Sequence, residues 1–278
     1  MLNRVLNLAE LAGYIERNPL PRGYLPKPSP RKRLPILYPA EDRALLACAS
    51  VPLAYRVLWG FLHREGMRRG EAVTLAWQDL DLENGTVSLD ENKTDHPRFW
   101  KLGPGASGAL SAWFERRGEP GPAELVFTDE HGRELQIAHL AEMARAQLDA
   151  AGLPRPDLHS RGPNKGRFGT HSFRRSFVTR SLELGKGEDW TRQRTGHKSE
   201  ELLWHRQAAK SLAELDLGEV DPLDEAIPEF SKPKPNAGPA PKAGPKVGQN
   251  RTVKRKTRLD SLELGSSEPE KPSAPATV

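Results

Sequence analysis

Between His171 and His197 the sequence runs HSFRRSFVTRSLELGKGEDWTRQRTGH, and it holds the residues best suited to chemistry. His171 and Arg174 stand three apart, a spacing that puts both side chains on one helix face. The stretch closes on Thr195-Gly196-His197, where the glycine allows a tight turn able to return His197 toward that pair. A second arginine, Arg68, sits upstream in Gly66-Met67-Arg68-Arg69-Gly70-Glu71 at the mouth of another expected helix, and Lys93 falls in a turn between two expected strands.

This set suits a phosphodiester. A scissile phosphate spreads negative charge over its non-bridging oxygens in the five-coordinate state. Guanidinium planes match those oxygens with paired hydrogen bonds where an ammonium group cannot. Fixed cations aimed at such oxygens act by electrostatic stabilisation. A lysine at a hairpin tip can protonate a leaving oxygen, and histidines can orient the phosphate or move protons near neutral pH. An Asp/Glu cluster of the kind magnesium requires is not evident.

Taken singly, each residue also has an ordinary reading. Arg68 alone would be a helix-terminal surface arginine, His-x-x-Arg a plain helix face, and Lys93 a solvated turn residue. Trp77 and Trp190 read as core or interface rings and His205 as structural or solvated. The convergence of the set is what favours a site.

The elements that must position these residues follow from pattern. Leu2, Val5, Leu6, Leu8, Leu11, Ala12 and Ile15 suit one amphipathic helix. Six prolines between Pro19 and Pro35, mixed with Arg31-Lys32-Arg33, then make a stiff basic linker. A body begins near Tyr38: Pro39 suits a first helical turn, and Glu41 and Asp42 complement its dipole. Helices are expected next at Leu53–His63 and Glu71–Trp77. Asn84-Gly85 marks a hairpin turn leading into Thr86–Leu89, with Pro97–Leu102 as the returning strand. Further helices are expected at Gly108–Arg116, Ala138–Ala151, Phe173–Leu184, Asp189–Arg194 and Glu200–Leu215, with Ser160–Gly169 a basic loop. The fold class is α+β, mainly helical, with a small antiparallel sheet.

Charge divides the chain. Residues 229–278 hold ten Lys/Arg against five Asp/Glu, which accounts for the whole net charge of +5. The remainder is balanced, yet Arg161–Arg180 carries six basic residues and no acidic one. A neutral body with a focused basic patch points to an oriented anion site rather than a general polycation. Three regions are expected: a helix and linker over 1–35, a body over 36–228, and a tail over 229–278. The Pro/Lys/Ala/Gly-rich tail reads as disordered, either a non-specific nucleic-acid tether or a solvated end. One cysteine, Cys48, excludes an internal disulfide and suits a reducing compartment. With no apolar run long enough to cross a bilayer and no signal-like apolar region, the expectation is a cytoplasmic protein without membrane partners.

Gly66-Met67-Arg68-Arg69-Gly70-Glu71-Ala72-Val73-Thr74-Leu75-Ala76-Trp77-x-Asp79 resembles the first arginine box of the tyrosine recombinases, the phage integrases. His171-Ser172-Phe173-Arg174-Arg175 is similar to their second box, Thr195-Gly196-His197 to their Leu-Gly-His element, and Lys93-Thr94 falls where the family keeps a hairpin lysine. The resemblance covers about Tyr38 to Pro228. It implies strand cleavage and rejoining through a 3′-phosphotyrosine on double-stranded DNA, without cofactor or metal, by a nucleoid-associated enzyme in the cytoplasm. By the same resemblance Arg68 and Arg174 clamp the phosphate, Lys93 is general acid, and His171 and His197 complete the pocket. Arg69, Arg161, Lys165, Arg167 and Arg175 are then DNA-backbone contacts.

The pattern also departs from the family. The resemblance implies a nucleophilic tyrosine about nine residues beyond the last histidine, where this sequence has Arg206. All four tyrosines (Tyr14, Tyr24, Tyr38 and Tyr55) precede Arg68. The family's N-terminal DNA-clamping domain is represented only by the helix over Asn3–Arg17. The leading expectation is therefore an integrase with impaired cleavage, acting with copies of itself or with a full-length recombinase. The alternatives are a non-catalytic DNA-binding or synapsis partner, and a metal-independent phosphodiesterase. Attack by His205 is chemically conceivable and stands as the weakest option.

Overall fold

A computed structural model describes residues 2–21, 35–89, 97–129, 131–160, 162, 166–197 and 199–231. The first helix, α1 (Leu2–Leu11), buries none of its residues. Leu2, Val5, Leu8 and Leu11 are exposed, in keeping with an apolar stripe too short to form a core.

The body is built around α3 (Leu53–Glu65), which is buried over almost its whole length from Ala54 onward. Before it comes α2 (Pro39–Ala47), opened by Pro39, with Glu41 Oε2 accepting the Tyr38 N–H at 2.8 Å. The middle of the body includes α4 (Arg69–Val73), α5 (Ala106–Arg116), α6 (Ile137–Ala150) and α7 (Pro156–His159). It is completed by α8 (Thr170–Glu183), α9 (Glu188–Thr195), α10 (Ser199–Ala213) and α11 (Leu223–Ala226). Helix α8 packs along both α3 and α10. Its Phe173 ring lies parallel to Trp59 of α3 at 5.1 Å and meets Phe168 edge-on at 5.0 Å. Such aromatic contacts fix the rotation of α8 about its axis, and with it the direction of Arg174.

Three short strands, β1 (Leu80–Asp81), β2 (Thr86–Leu89) and β3 (Arg98–Lys101), form an antiparallel sheet in the order β1-β2-β3. Asn84 donates from its N–H and its side-chain amide to Asp81, closing the expected turn. In β3 burial alternates, so Arg98 and Trp100 face inward while Phe99 and Lys101 face out. Leu89 pairs opposite Arg98, and Val87 opposite Trp100.

Two local readings differ from the structure. The helix expected over Glu71–Trp77 is α4 followed by a single 3₁₀ turn at Trp77–Asp79. Between them the chain is drawn extended, because Ala76 bridges to Leu125 and the Val126 N–H donates to Leu75 O at 2.8 Å. The short helices α7 and α11 were not legible, since four residues cannot display a helical period. The packed chain runs to Phe230, which is buried, and Glu229 pairs with Arg56 at 2.5 Å. Among the described residues no helix is long and apolar enough to cross a membrane.

Candidate phosphate-binding site

Helix α3 ends at Gly66, whose positive φ of 62° closes the helix with its N–H on Leu62 O at 3.1 Å. A β-carbon there would stand 2.2 Å from the Phe177 ring of α8, so only glycine lets the two segments approach this closely. That approach matters chemically. The Gly66 carbonyl accepts from Arg174 Nη1 at 2.7 Å, joining the turn before the first arginine to the second arginine itself.

Arg68 caps α4 and is held by Glu71. The carboxylate accepts the Arg68 N–H at 2.9 Å through Oε2 and the guanidinium Nη1 at 2.7 Å through Oε1. The other guanidinium nitrogen, Nη2, donates to Gly196 O at 3.1 Å. Arg174 Nη2 donates to Thr195 O and lies 3.4 Å from His197 Nδ1. Both arginines therefore converge on the Thr195-Gly196-His197 turn, although they are 106 residues apart in sequence. Gly196 takes φ 65° to end α9, with its N–H on Arg192 O at 2.6 Å, and this turn returns the chain to the arginines.

His197 is largely buried, and its pKa is lowered to about 3, first by burial and then by Arg174, His205, Arg68 and Arg98. Its Nδ1 lies 2.8 Å from Thr195 Oγ1, whose own proton is committed to Thr191 O at 2.6 Å. The hydroxyl therefore accepts from Nδ1–H, which leaves Nε2 with a lone pair. His171 is exposed at the first turn of α8. Partial burial and the charges of Arg69, Arg174 and Arg68 lower its pKa, so it sits beside the same cations.

Two members of the cluster went unread in the sequence. Arg98, buried on β3, places Nη2 2.6 Å from Glu71 Oε1 and donates from Nη1 to Arg194 O at 2.6 Å. Glu71 is thus the anion shared by Arg68 and Arg98, and the two arginines together hold its carboxylate ionised despite burial. The signal available was strand alternation, which puts Arg98 on the face of Trp100. Behind the turn lies a buried ionic knot: Glu65 accepts from Trp100 Nε1 (2.8 Å), the Gly103 N–H (2.6 Å) and Arg194 Nη1 (3.1 Å). It ties α9 to α3 and β3, and so fixes where Gly196 and His197 stand.

The remaining expected residues divide. Arg69 is half-buried next to His171, and Arg175 is half-buried next to His205. Arg167 is exposed in the loop before α8. Lys93, Arg161 and Lys165 lie outside the described residues. Arg206 faces away from the cluster and pairs with Glu188 at the surface. Its neighbour His205, read as structural or solvated, is buried with Nδ1 2.9 Å from Thr179 Oγ1 and its ring 5.8 Å from His197. Among the described residues no group of three or more His, Cys, Asp or Glu is placed to hold a metal ion.

The family model for the phage integrases ("Phage integrase family") matches residues 36–207. The chain belongs to the phage integrase family. Within that family it is 26% identical over 187 residues to y4qK of Sinorhizobium fredii (strain NBRC 101917 / NGR234), a match covering 66% of this chain and 56% of that protein. It is 27% identical over 175 residues to the prophage integrase IntR of Escherichia coli (strain K12), covering 53% of this chain and 41% of that protein. The chain spans about half the length of the curated relatives it matches. Among solved structures, lambda integrase residues 75–356 bound to DNA superposes with a TM-score of 0.57 at 18% identity, over 79% of this chain and 75% of that one. The XerA recombinase gives 0.53 at 19% identity, over 78% and 74%. The integrase body therefore has the fold of a tyrosine-recombinase catalytic domain, mainly helical with a small antiparallel sheet.

Proposed function

We propose that this chain binds double-stranded DNA and grips one backbone phosphate between Arg68 and Arg174, as a member of a site-specific recombination and integration system. The observation that carries the reading is the convergence of both guanidiniums on the Thr195–His197 turn, with His171 beside them. Of the three arginines at this turn, Arg68 and Arg98 share one carboxylate, Glu71, while Arg174 bonds backbone carbonyls, so the cluster keeps excess positive charge where a phosphate oxygen would lie. Arg69, Arg167 and Arg175 flank it as backbone contacts, and Lys93, Arg161 and Lys165 complete the set from outside the described residues. Copies of the chain, or a full-length recombinase, share the DNA with it, and its place is the nucleoid in the cytoplasm.

The position of Arg206 favours a second reading. It carries a surface ion pair with Glu188, and no tyrosine follows Arg68 in the sequence. On that reading the chain holds DNA for a partner's chemistry without phosphotyrosine formation of its own.

Fluorescence anisotropy on a labelled duplex of randomised sequence tests the shared core of both. Wild type is expected to bind with affinity that falls steeply as salt rises, and Arg174→Ala to bind more weakly at low salt. Equal binding by a folded Arg174→Ala variant overturns the phosphate grip.

A further inference from the structure

We propose that His205 is a nucleophile of this site, attacking a DNA phosphate to form a covalent phosphohistidine. The inference rests on the phosphate-binding reading above and deepens it.

Four observations place His205 in that role. Its ring lies 5.8 Å from the ring of His197 at the edge of the arginine cluster, while the adjacent Arg206 is turned to the surface. Nδ1 is fixed 2.9 Å from the hydroxyl of Thr179, a fully buried residue on the helix that bears Arg174. Nε2 has no hydrogen-bond partner among the described residues. The ring is also neutral at physiological pH: burial, then Arg175 and Arg174, lower its pKa to about 4. A neutral imidazole with one nitrogen oriented and the other carrying a lone pair is the reactive form of a histidine nucleophile. Thr179 holds that form when Nδ1–H donates to its Oγ1.

Atoms and charge balance without a co-reactant. The Nε2 lone pair forms the N–P bond as one P–O ester bond breaks. The departing strand oxygen keeps the bonding pair and takes a proton from solvent. The ring becomes an N-phosphoryl imidazolium and releases its Nδ1 proton to solvent, leaving a phosphoramidate. Attack by a strand-end hydroxyl on the same phosphorus reverses every step, so the bond energy stays available for rejoining. The arginines neutralise the non-bridging oxygens throughout.

The experiment incubates the full chain with a radiolabelled pool of randomised, nicked duplexes and, separately, with bis(4-nitrophenyl) phosphate, an activated diester that needs no sequence recognition. Denaturing gels and mass spectrometry are expected to show a protein adduct located on His205. A phosphoramidate is cleaved in mild acid and survives alkali, whereas phosphotyrosine withstands mild acid. His205→Gln is expected to lose the adduct while retaining, at neutral pH, duplex binding and a cooperative thermal transition. The proposal is overturned by an adduct that is acid-stable, that maps elsewhere, or that persists in His205→Gln. It is equally overturned if wild type binds duplex yet forms no adduct with either substrate. Loss of duplex binding by wild type would sink the phosphate-binding reading instead.

Discussion

Arg174 donates to the carbonyl of Gly66 at 2.7 Å, so the second arginine is anchored by the very turn that introduces the first. The contact makes the arginine cluster one mechanical unit: displacing α8 relative to the end of α3 would move both guanidiniums. Gly66 is therefore part of the site although it has no side chain.

Substitution at the two turn glycines separates strain from crowding. Gly66→Ala meets both a left-handed backbone and a ring 2.2 Å away, whereas a methyl at Gly196 meets the Arg68 guanidinium at an ordinary 3.4 Å. Gly66→Ala is expected to destabilise by about 2–4 kcal/mol, and Gly196→Ala by only about 1 kcal/mol. Urea denaturation of both variants checks the order; equal losses would show that Phe177 yields easily.

Glu71 neutralises part of the cluster and orients two arginines at once. Glu71→Gln keeps the shape but loses the charge. Stability is expected to fall by about 1–3 kcal/mol, and the salt dependence of duplex binding to steepen by about one unit of slope. Anisotropy titrations across salt concentrations read the slope, and an unchanged value would remove Glu71 from the pocket's charge balance.

Arg174→Lys tests geometry against charge. A single ammonium cannot reproduce the fork that donates to Gly66 O on one side and Thr195 O on the other. A loss of about 2 kcal/mol or more in stability is expected, with DNA affinity reduced despite the retained charge. Affinity equal to wild type would mean that positive charge alone suffices.

Acid stability follows from His197 and His205, whose folded pKa values are about 3 and about 4. Both lie below the ordinary histidine value of 6.5, so the unfolded chain binds more protons in that window. Stability is then complete above pH 6.5 and declines as pH falls, to about pH 4 for His205 and about pH 3 for His197. Each ring contributes at most about 1.4 kcal/mol per pH unit. His205→Gln should flatten the pH dependence of the thermal transition between pH 6 and pH 4 (roughly the window set by that linkage). An unaltered slope would mean that the ring titrates normally in the folded protein.

The motif boxes, the hairpin marked by Asn84-Gly85 and the helices α3, α5, α6, α8, α9 and α10 were legible because each rests on local rules: periodicity, turn chemistry and spacing. The sequence alone also determined that Arg206 stands where the family's tyrosine is expected. Tertiary structure decided what the spacing could not. Arg98 enters the cluster only because β3 pairs with β2 and turns its first side chain inward. Glu71 becomes the shared anion only when α4 and β3 meet, and His205 rather than Arg206 faces the cluster because α10 packs on α8 with Thr179 beneath it. One residue along a helix rotates a side chain by about 100°, and which of two neighbours points inward is set by the helix it packs against rather than by its own sequence.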